Sequence, residues 1–155
     1  MAFRLSKRSE ERLEGVHPDL VEVVRLAIQI TPHDFGVSEG VRDLDRQRDL
    51  VRRGLSQTLG SRHLTGHAVD LVAMDGRSAV WDWPAYYVIA DAMMTATRAR
   101  DTALRWGGAW HVTDIRETEL PAEELSSDYV TLRRSEGRRP FLDGPHFELP
   151  RAVYP

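Results

Sequence analysis

Apolar residues recur at helical spacing in four segments of the chain. The first segment, residues 18–30, begins with a proline suited to a first helical turn and carries its apolar side chains on one face. Those side chains are Leu20, Val23, Val24, Ala27 and Ile28. The same spacing predicts helices over residues 43–53, 84–99 and 121–135. Segment 84–99 is the most hydrophobic of the four, so we expect it to pack centrally.

Four shorter runs bounded by glycine or proline are typical of strands. They cover residues 35–41, 67–74, 103–106 and 146–149. Helices and strands alternate without the regular spacing of βαβ units, which favours an α+β fold with a central, mostly antiparallel sheet flanked by helices. The 155 residues are about the size of one ordinary domain, so we expect a single domain over residues 1–155.

Composition and charge exclude several classes of protein. The 21 Lys and Arg residues nearly balance the 24 Asp and Glu residues, and the net charge is −3. The chain therefore lacks the excess of basic residues that is typical of a nucleic-acid binder. The chain has no cysteine, so any metal has to be held by histidine and carboxylate. We also expect neither a signal peptide nor a membrane span, because no long apolar stretch occurs.

Two short segments place histidine and carboxylate in contexts that suggest a cleft. In the first, His63 ends a polar loop, and Asp70 lies in a predicted strand whose alternate residues are apolar. A carboxylate at such a position is costly to bury unless it is paired or metal-bound. In the second, Asp143 and His146 flank a Gly-Pro turn. The four residues together offer the two histidines and one carboxylate of a catalytic zinc site, and a further carboxylate as a base.

Other assignments of these roles stay open from the residues alone. His63 and His67 have the i, i+4 spacing of two helical metal ligands, although Gly66 disfavours a helix there. Glu148 could replace Asp143 as the base, but in a strand it would share a face with His146 and could act as its partner or as a rival ligand.

Aromatic and basic residues add further candidates. Trp106 and Trp110 flank a glycine pair and are the better candidates for a cleft wall, with Trp106 as a substrate contact. We expect Arg62 to face solvent. The basic residues of segment 133–139 are predicted to form a solvated face, with attraction to an anionic cell wall as an alternative.

The motif Ser61-x-His63-x-x-Gly66-x-Ala68-x-Asp70, followed downstream by Asp143-Gly144-Pro145-His146, resembles the paired signature of the M15 zinc peptidases. The opening Phe3-Arg4-Leu5-Ser6-x-x-Ser9 and the Asp-x-x-His ending are most similar to the phage branch of L-alanyl-D-glutamate endopeptidases. The similarity extends over nearly the whole chain.

This resemblance implies a role for each residue of the motifs. His63, Asp70 and His146 would bind Zn²⁺, and Asp143 would be the catalytic base. Arg42 would stabilise the oxyanion, a role that also suits an arginine at a predicted strand end. Ser61 and Gln47 would contact substrate.

The resemblance also implies a function, hydrolysis of peptidoglycan stem peptides at the L-Ala–D-Glu bond by a phage or prophage endolysin. Such an enzyme would be a monomer without a separate wall-binding domain, a nucleic-acid partner or a membrane partner. It would be made in the host cytoplasm and would reach the wall after a holin opens the membrane. The alternatives are a D-alanyl-D-alanine carboxypeptidase or dipeptidase of the same family, and an inactive zinc-containing module that binds peptidoglycan. The motifs offer no basic residue beyond Arg42 as a second carboxylate anchor, which favours an open, endopeptidase-like cleft.

Overall fold

Five helices and five strands make up the computed structural model, which describes residues 2–155. The helices are α1 (Lys7–Arg12), α2 (Pro18–Ile30), α3 (Leu44–Arg52), α4 (Trp83–Arg100) and α5 (Ala122–Ser135). The strands are β1 (Phe35–Glu39), β2 (Ala68–Asp75), β3 (Ser78–Val80), β4 (Arg105–Trp106) and β5 (His146–Glu148). Two single turns of 3-10 helix lie at Arg62–Thr65 and Ile115–Glu117.

All five strands join one antiparallel sheet. Its order is β1-β2-β5-β4, and β3 forms a hairpin with β2. The predicted α+β class with an antiparallel sheet is therefore confirmed. None of the helices within residues 2–155 is both long and apolar enough to cross a membrane.

The alternation of residues along β2 separates the core from the opposite face of the sheet. Val69, Leu71 and Ala73 are fully buried in the single hydrophobic core, which also contains the apolar faces of α2 and α4. Asp70 lies between them in sequence and lines a cleft on the other face. The predicted central position of α4 is confirmed, since Ile89, Ala90, Met93 and Ala96 are almost completely buried.

Helix α1 and strand β3 were not predicted, because neither buries an apolar face: Ser9 is the buried residue of α1, and β3 buries none. Helix α1 begins after Ser6, whose hydroxyl accepts a hydrogen bond from the Ser9 amide. Ser9 Oγ then accepts the amide of Val37, and Arg12 donates to the Val37 carbonyl at 2.9 Å. Side chains of α1 thus provide hydrogen-bond partners for backbone groups of β1, which is an edge strand of the sheet.

Candidate active site

A row of polar side chains crosses three strands at the floor of a cleft of about 690 Å³. Asp70 on β2 is the register partner of Glu39 on β1 and of His146 on β5. Directly opposed residues of antiparallel strands project from the same face, so the pairing brings these three side chains together. The sheet register is therefore what builds the site.

His63 enters the cleft from the 3-10 turn rather than from a strand. Ser61 caps that turn by accepting the His63 amide, and Gly66 ends it in the left-handed conformation at φ 76°. A side chain at Gly66 would also collide with the Gly15 carbonyl, at 2.4 Å. The His63 ring is fixed by its Nδ1–H, which donates to the Gly40 carbonyl at 2.8 Å and leaves Nε2 free to act as a ligand.

Three ligand atoms lie close enough together to bind one metal ion. Asp70 Oδ1 lies 3.2 Å from His63 Nε2 and 3.1 Å from His146 Nδ1. All three ligand atoms fall within 4.8 Å of one another. Adjacent ligands on a tetrahedral zinc ion with bonds of 2.0–2.1 Å are separated by about 3.3 Å. His63, Asp70 and His146 therefore form a group that can bind a metal ion.

Glu148 orients the second histidine. Its Oε1 lies 2.9 Å from His146 Nε2, on the side of the ring away from Asp70. This is the carboxylate–histidine arrangement that fixes the tautomer of a metal-binding imidazole. Trp110 supports the same ring at a centroid distance of 5.4 Å.

Hydrogen bonds and neighbouring charges together outweigh burial at Asp70 and at His146, and they shift the two pKa values in opposite directions. Burial alone would raise the pKa of Asp70, but hydrogen bonds from His146 and His63 hold it well below its usual value. Burial alone would lower the pKa of His146, but hydrogen bonds to Asp70 and Glu148 raise it to about 10. Without a metal, His146 therefore keeps its proton at neutral pH.

Arg42 is held at the edge of the metal group by two partners. Glu39 accepts its Nε–H and Nη2–H at 2.7 and 2.6 Å, and Gln47 Oε1 accepts its Nη1–H at 2.7 Å. Arg42 Nη2 also lies 3.5 Å from Asp70 Oδ2. The guanidinium is nearly buried but lines the cleft, and its remaining N–H groups are available to a bound ligand.

Asp143 lines the same cleft from the turn before β5. Its amide donates to the Gly107 carbonyl, and its own carbonyl accepts the His146 amide. Burial and the nearby Asp70 carboxylate raise the pKa of Asp143. The carboxyl thus lies close to the metal group without belonging to it, as a general base must.

The comparison of the sequence with protein families decides what kind of site this is. The profile of the family described as "Phage L-alanyl-D-glutamate peptidase" matches residues 1–150. The chain belongs to the phage L-alanyl-D-glutamate peptidase family. The predicted resemblance is thereby confirmed, and with it the class of enzyme, a peptidoglycan endopeptidase.

Individual members of the phage L-alanyl-D-glutamate peptidase family align with most or part of the chain. The L-alanyl-D-glutamate peptidase of Escherichia phage T5 is 29% identical over 153 residues, covering 96% of this chain and 99% of the relative. That of Listeria phage A118 is 35% identical over 74 residues, covering 48% of this chain and 25% of the relative. The crystal structure of the Serratia marcescens L-Ala D-Glu endopeptidase ChiX superimposes with a TM-score of 0.73 at 43% identity, covering 98% of this chain and 94% of that one.

Three expectations about individual residues of this family member were wrong. Trp106 does not line the cleft; it is fully buried, packs near Phe147 and donates its indole N–H to the Gly144 carbonyl. Gln47 is also fully buried, so it positions Arg42 instead of contacting substrate. Arg62 does not face solvent, because its guanidinium is buried and donates to the carbonyls of Leu149 and Tyr154.

The structure also gives the positions of the other candidate residues, His67, Ser61 and Trp110. His67 lies outside the metal group, and its Nδ1 pairs with Thr65 Oγ1 at 2.7 Å. Ser61 and Trp110 line the cleft. The sequence reasoning missed Glu39, although its position three residues before Arg42, at a predicted strand end, was a signal for an ion pair.

Proposed function

We propose that this protein is a zinc-dependent endopeptidase that hydrolyses the bond between L-alanine and D-glutamate in peptidoglycan stem peptides. The observation that carries the proposal is the convergence of three metal-ligand atoms beside Asp143 and Arg42 in one cleft. Family membership supplies the class of substrate.

Zinc is the metal that fits this donor set best. Two imidazole nitrogens and one carboxylate are a usual ligand set of catalytic zinc, and the distances from Asp70 Oδ1 to the two nitrogens are those of neighbouring ligands in tetrahedral coordination. When bound, zinc would supply Lewis-acid chemistry, polarising a carbonyl group and lowering the pKa of water.

Asp143 is the proton carrier of the proposed reaction. As a carboxylate it accepts the proton of the attacking water, and it then donates that proton to the amine that leaves. Its raised pKa brings the two protonation states closer in free energy at neutral pH, which favours both transfers.

Arg42 stabilises the negative charge that develops on the carbonyl oxygen of the scissile peptide bond. Glu39 and Gln47 hold its guanidinium before substrate arrives, so little reorganisation is needed during the reaction. Ser61, which also lines the cleft, contacts the substrate.

The biological role follows from the same proposal. The relatives from phages T5 and A118 carry the name of a peptidase that acts on this bond. We place the protein in host lysis: it is made in the host cytoplasm and acts on the cell wall as a monomer once a holin has opened the membrane.

Digestion of purified cell walls tests the proposal. The zinc-loaded protein should expose new glutamate amino termini and release stem peptides without new reducing sugars, which amine labelling and mass spectrometry measure. Release of free D-alanine without new glutamate termini would instead identify a carboxypeptidase. Binding to walls without any release would identify an inactive module.

A further inference from the structure

The cleft contains more positive charge than its own acidic residues can neutralise. Six arginines line it, against four acidic side chains. The arginines are Arg42, Arg62, Arg105, Arg133, Arg138 and Arg151. Three of the acids are already engaged: Glu39 with Arg42, Glu148 with His146, and Asp70 with the metal-binding histidines. The cleft is therefore locally cationic, although the whole chain has a net charge of −3.

Among residues 2–155, Arg42 is the one cleft arginine with a carboxylate partner in salt-bridge range. Arg62 is occupied by backbone carbonyls. Arg133 lies on α5 and donates to the Arg139 carbonyl, whereas Arg138 is exposed. Arg151 is exposed and donates to the Gly60 carbonyl. These positions leave Arg105 as the arginine best placed to act on a ligand at the metal group.

Arg105 is fixed next to the metal ligands. On the edge strand β4 it is the register partner of Glu148, the carboxylate that orients His146. Its Nη2 donates to the Trp110 carbonyl at 2.8 Å, and its guanidinium carbon lies 5.2 Å from the centre of the Trp110 ring. That ring in turn contacts His146. A guanidinium held in this way loses little side-chain entropy when it binds an anion.

The Arg105–Trp110 pair also has hydrogen-bonding capacity that the described residues do not use. Arg105 Nε and Trp110 Nε1 are buried and have no acceptor among residues 2–155. Buried donors are rarely left unpaired in proteins. A carboxylate is the acceptor that matches a guanidinium in charge and in its two-pronged geometry.

We propose that Arg105, supported by Trp110, binds a free carboxylate of the stem peptide and so determines substrate specificity. The inference rests on the proposed function and extends it. D-glutamate in stem peptides is linked through its γ-carboxyl group and keeps a free α-carboxylate next to the scissile bond. The L-alanine side is joined to the glycan through an amide and brings no carboxylate. Arg105 therefore marks the part of the cleft that receives the D-glutamate side.

Three synthetic peptides separate the sources of the carboxylate. Each has the sequence N-acetyl-L-Ala-γ-D-Glu-L-Lys. One keeps only the α-carboxylate of glutamate, the second keeps only the C-terminal carboxylate, and the third has both as amides. The kcat/KM of the zinc-loaded protein is measured on all three for the wild type and for Arg105→Gln, Arg105→Lys, Arg133→Gln and Arg138→Gln. Arg134→Gln, at an exposed α5 position outside the cleft lining, is the matched control.

The wild type should cleave one of the acids at least about tenfold better than the double amide, as expected for a charge-assisted hydrogen bond. The preferred acid identifies which carboxylate is bound. Arg105→Gln should abolish the preference mainly through KM, Arg105→Lys should keep part of it, and Arg134→Gln should keep all of it. Binding of the preferred acid to Asp143→Asn, measured by calorimetry, should show the same preference without turnover.

Equal cleavage of all three peptides by the wild type would overturn the proposal, whether or not any variant folds. So would an Arg105→Gln protein that loses the same factor on every peptide, or loss of the preference in Arg133→Gln or Arg138→Gln instead. If neither these peptides nor purified walls were cleaved, the proposed function itself would fail, and that result differs from every outcome above.

Discussion

The two ring nitrogens of His146 have different carboxylate partners. Nδ1 lies against Asp70, on the metal side, and Nε2 lies against Glu148, on the far side. Glu148 is therefore placed to hold the ring, whereas Asp143 lines the cleft with its carboxyl unpaired among the described hydrogen bonds. The residues alone left the roles of these two carboxylates open, and this difference in position agrees with the role of base that the resemblance implies for Asp143.

Replacing Glu148 should weaken the metal site without destroying it. In Glu148→Gln the side chain keeps a hydrogen-bonding oxygen but loses its charge, so we expect zinc affinity to fall by about tenfold to a hundredfold. Competition with a chromophoric chelator measures this, and His146→Ala, which removes a ligand, should lose the metal altogether. Wild-type zinc affinity combined with loss of turnover in Glu148→Gln would instead make Glu148 the base.

Replacing Asp143 should reduce turnover while leaving the metal site intact. Asp143→Asn keeps the size of the side chain but cannot accept a proton, so we expect zinc to remain bound while kcat falls by about 10²–10⁴-fold. Asp70→Asn, at a ligand position, should lose zinc affinity as well. Metal analysis and peptide hydrolysis of both variants test the distinction. Near wild-type turnover by Asp143→Asn would remove this residue from the mechanism.

At the residue scale, the sequence predicted which residues form the metal group but not which way each nearby side chain points. Asp70 followed from strand alternation, because its neighbours are apolar. Trp106 and Gln47 were misplaced because a tryptophan beside two glycines and a glutamine in a polar helix can face either the cleft or the interior. Their burial depends on packing against distant segments, which periodicity does not report.

At the scale of elements, the link between β4 and β5 places the base. Gly107 follows β4, accepts the Asp143 amide at its carbonyl, and donates its own amide to the His146 carbonyl. A Cβ atom at Gly107 would lie 2.2 Å from the Asp143 carbonyl oxygen. The absence of a side chain is therefore what allows the turn that carries Asp143 to approach β4.

Gly107→Ala should accordingly displace Asp143. Because the collision is with backbone, the turn has to move, and we expect kcat to fall at least about tenfold, in line with the sensitivity of catalysis to misplacement of about 1 Å. Gly76→Ala is a suitable control: an alanine at φ 61° would be strained, but no atom lies within 4 Å of the added Cβ, so this variant should lose some stability while keeping kcat. Equal kcat for both variants would contradict this account.

The long helices were predictable, whereas α1, β3 and the 3-10 turns were not. The period of apolar residues gave α2, α4 and α5 to within a few residues, because each buries an apolar face. Helix α3 also lies close to its predicted bounds, although its buried residues are Gln47 and Leu50. The 3-10 turn that carries His63 has no period at all. Its shape depends on the Ser61 cap and on the left-handed Gly66, whose close approach to Gly15 is a tertiary contact.

At the scale of the whole molecule, the metal ligands connect parts of the chain that are far apart in sequence. His63 comes from the 3-10 turn, Asp70 from β2 and His146 from β5. A bound ion would join these three segments directly, in a chain that has no disulfide to do so. Metal binding should therefore stabilise the entire fold, because the unfolded chain does not hold the three ligands together.

Thermal unfolding with and without a chelator should show this coupling. At a zinc concentration a thousand times the dissociation constant, the stabilisation is about 4 kcal/mol. That corresponds to a rise in Tm of about 10 °C for a chain of this size. His63→Ala should show no zinc-dependent rise. A Tm of the wild type that does not change with the chelator would contradict the proposed link between metal and fold.

The size of the zinc-dependent rise in Tm should depend on pH. In the metal-free protein the pKa of His146 is raised to about 10, above its value in the unfolded chain. Its protonated form therefore stabilises the metal-free fold fully below the unfolded pKa, and that contribution is lost as pH increases toward 10. Zinc has to displace this proton, so its affinity increases with pH over the same range. We expect the zinc-dependent rise in Tm to be larger at pH 8 than at pH 6, and calorimetry in buffers of different ionisation enthalpy should detect the released proton. A rise that is equal at both pH values, without proton release, would show that His146 is not a ligand.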